Sequence, residues 1–418
     1  MADQVRFVHA ADIHLGAPFK GVDATDRRVR DALASSTFEA LDRVVEACIE
    51  REVDFLVLAG DVYNHAEKPL RAEFAFRTAC ERLSESGIEV FIARGNHDPA
   101  LGFSAGLAMP GTVHYFSEHE VERFAHIKDG REVCALYGRS FRTSAETANL
   151  ARGFARAAGD KLAIGVLHAN VGGRADHEPY APCSVEDLRA ARMDYWALGH
   201  VHAPEIVAQA PLITYAGCTQ GLDPTQRGVR GCWAVTLSPD GADVEFVPTA
   251  RVIWDHVSVR CDEAEGIDEV RAAVAGALDE CRRGASGRPV VVRAEIAGRC
   301  GAHSALVRPG ALADLTAELR AEGLERDPWV WLDRLVDRTH PALDLAAITE
   351  GQDFAGDLVR RADAVLTGEG AAAGYVEELA RAALDTLDVR DLPEIDAVSV
   401  VERARDLVLD RLFSAEER

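Results

Sequence analysis

The sequence predicts an α/β chain folded as a four-layer α/β/β/α sandwich, followed by a small α/β cap domain and a C-terminal helical region. Three observations predict it. Very apolar runs of strand length alternate with helical stretches through the first half of the chain; shorter strand-like runs supply a second sheet; and after residue 250 the pattern changes, first to a compact alternation of strand and helix and then to acidic, helix-rich sequence.

The elements follow in order. Val5 to Ala11, Val53 to Ala59, Ile88 to Ala93, Lys161 to Leu167 and Tyr195 to Leu198 are mostly apolar throughout, as parallel strands covered on both faces must be. Arg30 to Arg51 and Pro69 to Ser86 carry helical periodicity, the second opening with Pro69 in its first turn. Thr112 to Phe116, Glu132 to Tyr137, Leu212 to Ala216, Gly231 to Leu237 and Val244 to Pro248 are shorter and closer together, and are expected to form the second sheet. Val252 to Arg260, Ala264 to Arg283, Pro289 to Ala297, Pro309 to Glu322 and Trp329 to Thr339 then read as a βαβαβ module. The expected division is residues 1–250, a cap over 251–340 and a helical, partner-binding region over 341–418. In that last region Phe354 to Leu366 and Tyr375 to Leu387 read as helices around a glycine-rich linker, which has no following Lys-Ser or Lys-Thr to make it a phosphate loop. Val398 to Phe413 places Val401, Ala404, Val408 and Leu412 on one helical face, a surface for docking either a partner or the chain's own cap. Trp329 and Trp331 share one strand face and are expected to pack against a helix, with stacking on bases the alternative.

Each long apolar strand runs into a short polar motif. These are Asp12-Ile13-His14, Gly60-Asp61, Gly95-Asn96-His97-Asp98, His168, and Gly199-His200-Val201-His202. Singly, an Asp-x-His is a turn or cap and His168 a satisfied core histidine. Together they place seven metal-ligand side chains at strand ends, where loops of an α/β sheet converge. A phosphodiester repels hydroxide, and two divalent ions about 3.5–4 Å apart overcome this by polarising the phosphoryl oxygens and acidifying water. One carboxylate must bridge the two ions, and Asp61, ending a buried strand, is the natural bridge. Imidazole mixed with carboxylate and amide oxygen suits manganese first, with iron or zinc compatible, rather than calcium. His97 adjoins the ligands without being needed to complete them, which suits a general acid; Asp98 either orients it or caps the turn.

Composition bounds the rest. A net charge of -23 argues against loose, nonspecific adhesion to nucleic acid, although Arg27, Arg28 and Arg30, or Arg139 and Arg142, are candidates for a regional basic patch if they are not simply solvated helix faces. Nine scattered cysteines without a Cys-x-x-Cys read as free core or surface thiols, and no apolar stretch approaches a membrane span, so a cytoplasmic protein is expected.

With these motifs the chain resembles the calcineurin-like metallophosphoesterase superfamily. Ala11-Asp12-Ile13-His14-Leu15-Gly16-Ala17-Pro18-Phe19 and the extra sequence after residue 250 make it similar to the DNA repair exonuclease branch, the SbcD-like and YhaO-like nuclease subunits. The resemblance implies one metal held by Asp12, His14, Asp61 and His202 and a second by Asp61, Asn96, His168 and His200. It implies His97 as the catalytic imidazole, with Asp98 orienting it. It also implies an SbcC-like coiled-coil ATPase on the C-terminal helices, DNA as substrate, and a homodimer through the N-terminal helices. The chain departs from that branch at one place: three residues after the bridging aspartate stands Asn64, followed by His65, where a second substrate-facing histidine is expected. Asn64 donates hydrogen bonds but cannot relay a proton as imidazole does. Three readings follow: a manganese-dependent exonuclease subunit, a phosphodiesterase or phosphatase for nucleotides or phosphoproteins, and a regulatory scaffold for an ATPase. The complete ligand set argues against the last.

Overall fold

The computed structural model describes residues 4–19, 21–22, 24–64, 69–101, 107–174, 178–367 and 397–416. Two six-stranded sheets make its first unit. Strands β1 (Val5–Ala10), β2 (Phe55–Ala59), β3 (Glu89–Ala93) and β4 (Val113–Tyr115) run parallel in the first. Two later strands extend it beyond β1, giving the order β12-β11-β1-β2-β3-β4, with β11 (Gly231–Ser238) and β12 (Gly241–Pro248) antiparallel. The second sheet has the order β5-β6-β7-β8-β10-β9: β5 (Glu122–Lys128), β6 (Arg131–Arg139), β7 (Ala163–His168), β8 (Tyr195–Gly199), β10 (Leu212–Tyr215) and β9 (Glu205–Gln209).

The alternation of side chains along β2 explains the layering. Phe55, Val57 and Ala59 point to one core, where they meet Phe7, Phe91, Leu136, Ile164, Val166 and Tyr195 from both sheets. Leu56 and Leu58 point to another, under helices α1 (Arg27–Glu50) and α2 (Leu70–Glu85). Because both faces are covered, all five β2 residues are buried. Phe7 stacks on Phe55 at 5.2 Å and meets Tyr195 edge-on at 5.3 Å, so an aromatic ladder ties the two sheets together. On the outer side of the second sheet the cover is thinner: the six-residue helix α3 (Val185–Ala190), a 3-10 turn (Leu150–Gly153) and loops, packing Leu188, Phe154 and Leu150 on Trp196 and Tyr215.

The expected sandwich is therefore present, but three of the short strands assigned to the second sheet, β4, β11 and β12, belong to the first. Period-2 alternation marks a strand without naming its hydrogen-bonding partner, and β11 pairs with β1 across more than half the chain. Pro69 is the residue before α2 rather than its first turn, so it supplies a fixed extended φ there and no side-chain cap.

The chain divides into two compact units: Met1–Asp255 with Cys281–Val291 and Asp327–Asp333, and His256–Glu280 with Val292–Arg326 and Arg334–Arg418. Strands β13 (Ile253–Arg260), β14 (Val290–Cys300) and β15 (Val330–Pro341) form a three-stranded sheet in that order, with helices α4 (Ile267–Gly284), α5 (His303–Leu306) and α6 (Ala311–Leu324) in the intervening connections. Trp329 and Trp331 are both buried, which removes them as stacking platforms for bases. Helices α7 (Leu345–Glu350), α8 (Phe354–Leu366) and α9 (Ala397–Glu416) follow. The helix expected over Tyr375 to Leu387 lies outside the described residues. All nine cysteines are free thiols, eight of them buried. Among the described residues no helix is long and apolar enough to cross a membrane.

In α9 the face marked by apolar spacing is not the one the chain itself covers. Ala404, Val408 and Leu412 of the expected docking face are exposed, Val401 is half-buried, and the buried positions are Arg405, Asp406 and Leu409. Leu409 packs with Ala355 and Val359 of α8. Asp406 accepts hydrogen bonds from Arg405 Nε at 2.9 Å and Arg299 Nη2 at 3.1 Å and pairs with His340. An ion cluster, not an apolar seam, holds much of the inward face, and the face of Ala404, Val408 and Leu412 is left exposed.

Candidate metal centre

The five motifs converge. The loops after β1, β2 and β3 leave the first sheet and those after β7 and β8 leave the second, so the candidate site sits where the carboxyl ends of both sheets meet. Backbone bonds zip the first two loops together: Asp12 N–H donates to Gly60 O at 3.1 Å and His14 N–H to Asp61 O at 3.0 Å. Across the sheets, His200 N–H donates to both Asp12 oxygens at 3.2 and 3.0 Å, while His97 N–H donates to Asp61 Oδ1 at 2.9 Å.

The glycines of the motifs are demanded by this crowding. A Cβ on Gly95 would lie 2.2 Å from Asp61 Oδ1, and one on Gly199 would lie 1.9 Å from the Ala59 carbonyl oxygen. Asp12, His14, Asp61 and His200 all hold left-handed backbone, at φ of 48°, 45°, 52° and 96°. Such geometry costs about 1–3 kcal/mol per residue, and four cases on ligand-type side chains mark a place where packing overrides local preference.

The side chains then face one another. His14 Nε2 is 3.3 Å from His202 Nε2 and 3.8 Å from Asp61 Oδ2; His202 Nε2 is 3.8 Å from Asp12 Oδ1. His168 Nε2 is 3.5 Å from Asp61 Oδ2 and 3.0 Å from Asn96 Oδ1. Among the described residues three groups of Asp and His side chains close enough to hold an ion result: Asp12 with His14 and His202, His14 with Asp61 and His97, and Asp12 with Asp61 and His168. Asp61 is shared between two of them, as are Asp12 and His14. Distal ring nitrogens are anchored on backbone: His168 Nδ1–H donates to Ala59 O at 2.9 Å and His200 Nε2–H to Glu178 O at 2.8 Å.

Comparison with known proteins places this geometry. A model of the calcineurin-like phosphoesterase family matches residues 5–204, and one of the metallophosphoesterase YhaO middle domain matches residues 254–340. An uncharacterized metallophosphoesterase YhaO of Bacillus subtilis is 31% identical over 346 residues, covering 82% of this chain and 84% of that protein. The chain belongs to the calcineurin-like metallophosphoesterase family. The DNA double-strand break repair protein Mre11 of Methanopyrus kandleri is 29% identical over 217 residues, 48% of this metallophosphoesterase and 45% of that protein. A dimetal phosphatase from Danio rerio aligns structurally over 58% of this chain and 98% of its own, at 10% identity and a TM-score of 0.33.

The electrostatics of this metallophosphoesterase fit a cation pair. Burial raises the Asp12 carboxyl well above its usual range, with repulsion from Asp61 adding to it; burial pushes Asp61 to about 6 against the pull of nearby His97. Burial likewise lowers His14, and lowers His168 to about 3, so both rings stay neutral with lone pairs to offer. The groups paired with the two aspartates here are imidazoles, not Arg or Lys. Paired buried carboxylates beside neutral imidazoles suit a positive charge from outside the chain, which a divalent ion would supply.

The residues beside the ligands have defined partners. The Asp98 oxygens accept Gly95 N–H at 2.8 Å and Val62 N–H at 2.9 Å, tying the turn after β3 to the loop after β2. The His97 ring is held by its Nδ1–H donating to the Asn64 carbonyl at 2.8 Å. Asn64 thus contributes its backbone to His97, for which no side-chain signal exists in sequence, while its side chain acts on the His14 ring through a hydrogen bond. His65 lies outside the described residues. Sequence reasoning also missed His9, buried on β1, which accepts from Tyr195 Oη at 3.0 Å and donates to Leu198 O at 3.1 Å, bracing the strand before Asp12 against the strand before His200. Its place inside an apolar run was the available signal: a polar side chain there must find partners.

Proposed function

We propose that this chain is a two-metal-dependent phosphodiester hydrolase, and that its substrate is DNA, digested as the exonuclease subunit of a cytoplasmic repair complex with an SbcC-like ATPase. The observation that carries the reading is the convergence of Asp12, His14, Asp61, His168 and His202 at strand ends, with Asn96 Oδ1 3.0 Å from His168 Nε2, the His200 ring 5.2 Å from that of His168, and the half-buried His97 ring 4.9 Å from that of His14. In this reading Asp12, His14, Asp61 and His202 hold one ion and Asp61, Asn96, His168 and His200 the other. Bound manganese, or iron or zinc, would withdraw charge from the phosphoryl oxygens and make water a nucleophile near neutral pH. His97, its Nδ1 fixed on Asn64, protonates the departing sugar oxygen through Nε2. Domain boundaries near residues 250 and 340 are part of the proposal, as is a homodimer.

A second reading, a phosphodiesterase or phosphatase for nucleotides or phosphoproteins, is favoured by Asn64 at the place of a substrate-facing histidine and by the net charge of -23. One experiment separates them. Purified chain with manganese is offered linear DNA, closed-circular DNA and bis(p-nitrophenyl) phosphate, beside His97→Ala. Shortening of linear DNA that the substitution reduces by about 10²–10⁴-fold supports the exonuclease. Cleavage of the small diester with both DNAs intact supports the second reading.

A further inference from the structure

Resting on the two-metal reading above, we infer that Gln226 is a positioning residue that holds His202 in the tautomer opposed to cation binding through Nε2, making the Asp12, His14 and His202 site the weaker of the two. The other rings of the cluster are anchored differently. His168, His200 and His97 each donate a distal N–H to a backbone carbonyl, of Ala59, Glu178 and Asn64. A carbonyl only accepts, so the anchored nitrogen of each ring carries a proton, and the lone pair that a neutral ring offers lies on the other nitrogen, turned from that anchor.

His202 is held by a side chain instead. Its Nδ1 lies 2.8 Å from Gln226 Nε2. Two further contacts fix which way that amide faces: Oε1 accepts Leu222 N–H at 2.8 Å, and Nε2 donates to Asp223 Oδ2 at 2.8 Å. Turning the amide over would set N–H against N–H and oxygen against carboxylate. Asp223 is fixed in turn by accepting Thr225 N–H at 2.8 Å. Gln226 therefore presents an N–H, His202 Nδ1 accepts it, and the neutral ring carries its proton on Nε2, 3.3 Å from His14 Nε2. A cation taken up there must move that proton against the Gln226 N–H. At the site of His168 and His200 no such rearrangement is needed.

The test titrates the metal-stripped full chain with Mn2+ by calorimetry, wild type beside the double variant Asp223→Asn/Gln226→Glu. The introduced carboxylate keeps the Leu222 N–H and accepts a proton-bearing Nδ1; the introduced amide at 223 donates to that carboxylate, and net charge is unchanged. Wild type is expected to take up two ions in two unequal steps, and the variant to tighten the weaker step about tenfold while leaving the stronger one in place. Both steps moving together, or neither moving, overturns the role of Gln226; a wild type that takes up no ion overturns the two-metal reading on which it rests. A second measurement needs no functional variant: long-range nitrogen–proton correlation spectra of the metal-free wild type, with His202→Gln for assignment. The His202 ring proton is expected on Nε2, and a proton on Nδ1 overturns the proposal.

Discussion

The chain buries carboxylates in two places and treats them in opposite ways. In the second unit Asp406 is 3% exposed and faces cations that the chain itself supplies, Arg299 and Arg405, beside the His340 ring. In the first unit Asp12 and Asp61, 0% and 2% exposed, face imidazoles that burial keeps neutral, and each other's charge. Burial of charge is common to both, so burial alone says nothing about function. The difference lies in whether the counter-charge is encoded in the chain: a self-neutralised cluster fastens a helix, whereas an un-neutralised one requires a cation from solution.

The largest expected break in this comparison is Asp61→Asn. Removing the shared carboxylate should cut hydrolysis of bis(p-nitrophenyl) phosphate by about a thousandfold or more and lower the bound metal below two ions per chain by elemental analysis. The same change should raise the melting temperature of the metal-stripped protein at pH 7, because it deletes a buried charge without deleting the acceptor for His97 N–H. A lower melting temperature would show that Asp61 is neutralised within the chain after all.

Asp406→Ala is the mirror experiment. It leaves Arg405, 6% exposed, with the Asp363 carboxylate at 3.4 Å as its remaining acidic partner, and should destabilise the second unit by about 3 kcal/mol in urea unfolding. Diester hydrolysis by the folded protein should stay within about twofold of wild type, since additivity holds for sites that share no partners. Loss of both together would erase the distinction between the clusters.

A smaller effect sharpens the comparison through pH. Asp61 sits at about 6, above its ordinary 3.8, so the stability gained from its protonated form is complete below about pH 4 and lost as pH rises through 6. His168, lowered to about 3 from 6.5, works the other way: its contribution is complete above 6.5 and lost as pH falls toward 3. Added manganese must find its carboxylates ionised, so its stabilising effect on the melting temperature should be clearly larger at pH 7 than at pH 5. Equal stabilisation at both would remove Asp61 from the ligand set.

The smallest expected effect is that of Asn64→Ala. The carbonyl that holds His97 belongs to the backbone and survives the change, so kcat should remain within about threefold while KM rises about fivefold, the value of one hydrogen bond to substrate. A fall in kcat like that of His97→Ala would give the Asn64 side chain a part in proton transfer.

The sequence by itself determined the strands of both sheets that carry the motifs, the placement of candidate ligands at their ends, and the glycines beside them. Continuous apolar runs such as Phe55–Ala59 are possible only where both faces are covered, and Gly95 and Gly199 stand where a Cβ would strike Asp61 or the Ala59 carbonyl. These are local consequences of burial and crowding, and local sequence expresses them. Only the tertiary structure decided that β4, β11 and β12 join the first sheet, that Arg405 and Asp406 form the inward face of α9, that a backbone carbonyl of Asn64 holds His97, and that Gln226 reaches His202. Strand partners, counter-charges and hydrogen-bond acceptors are supplied by residues distant along the chain, and a side chain's pattern of neighbours in sequence carries no record of which of them it will meet.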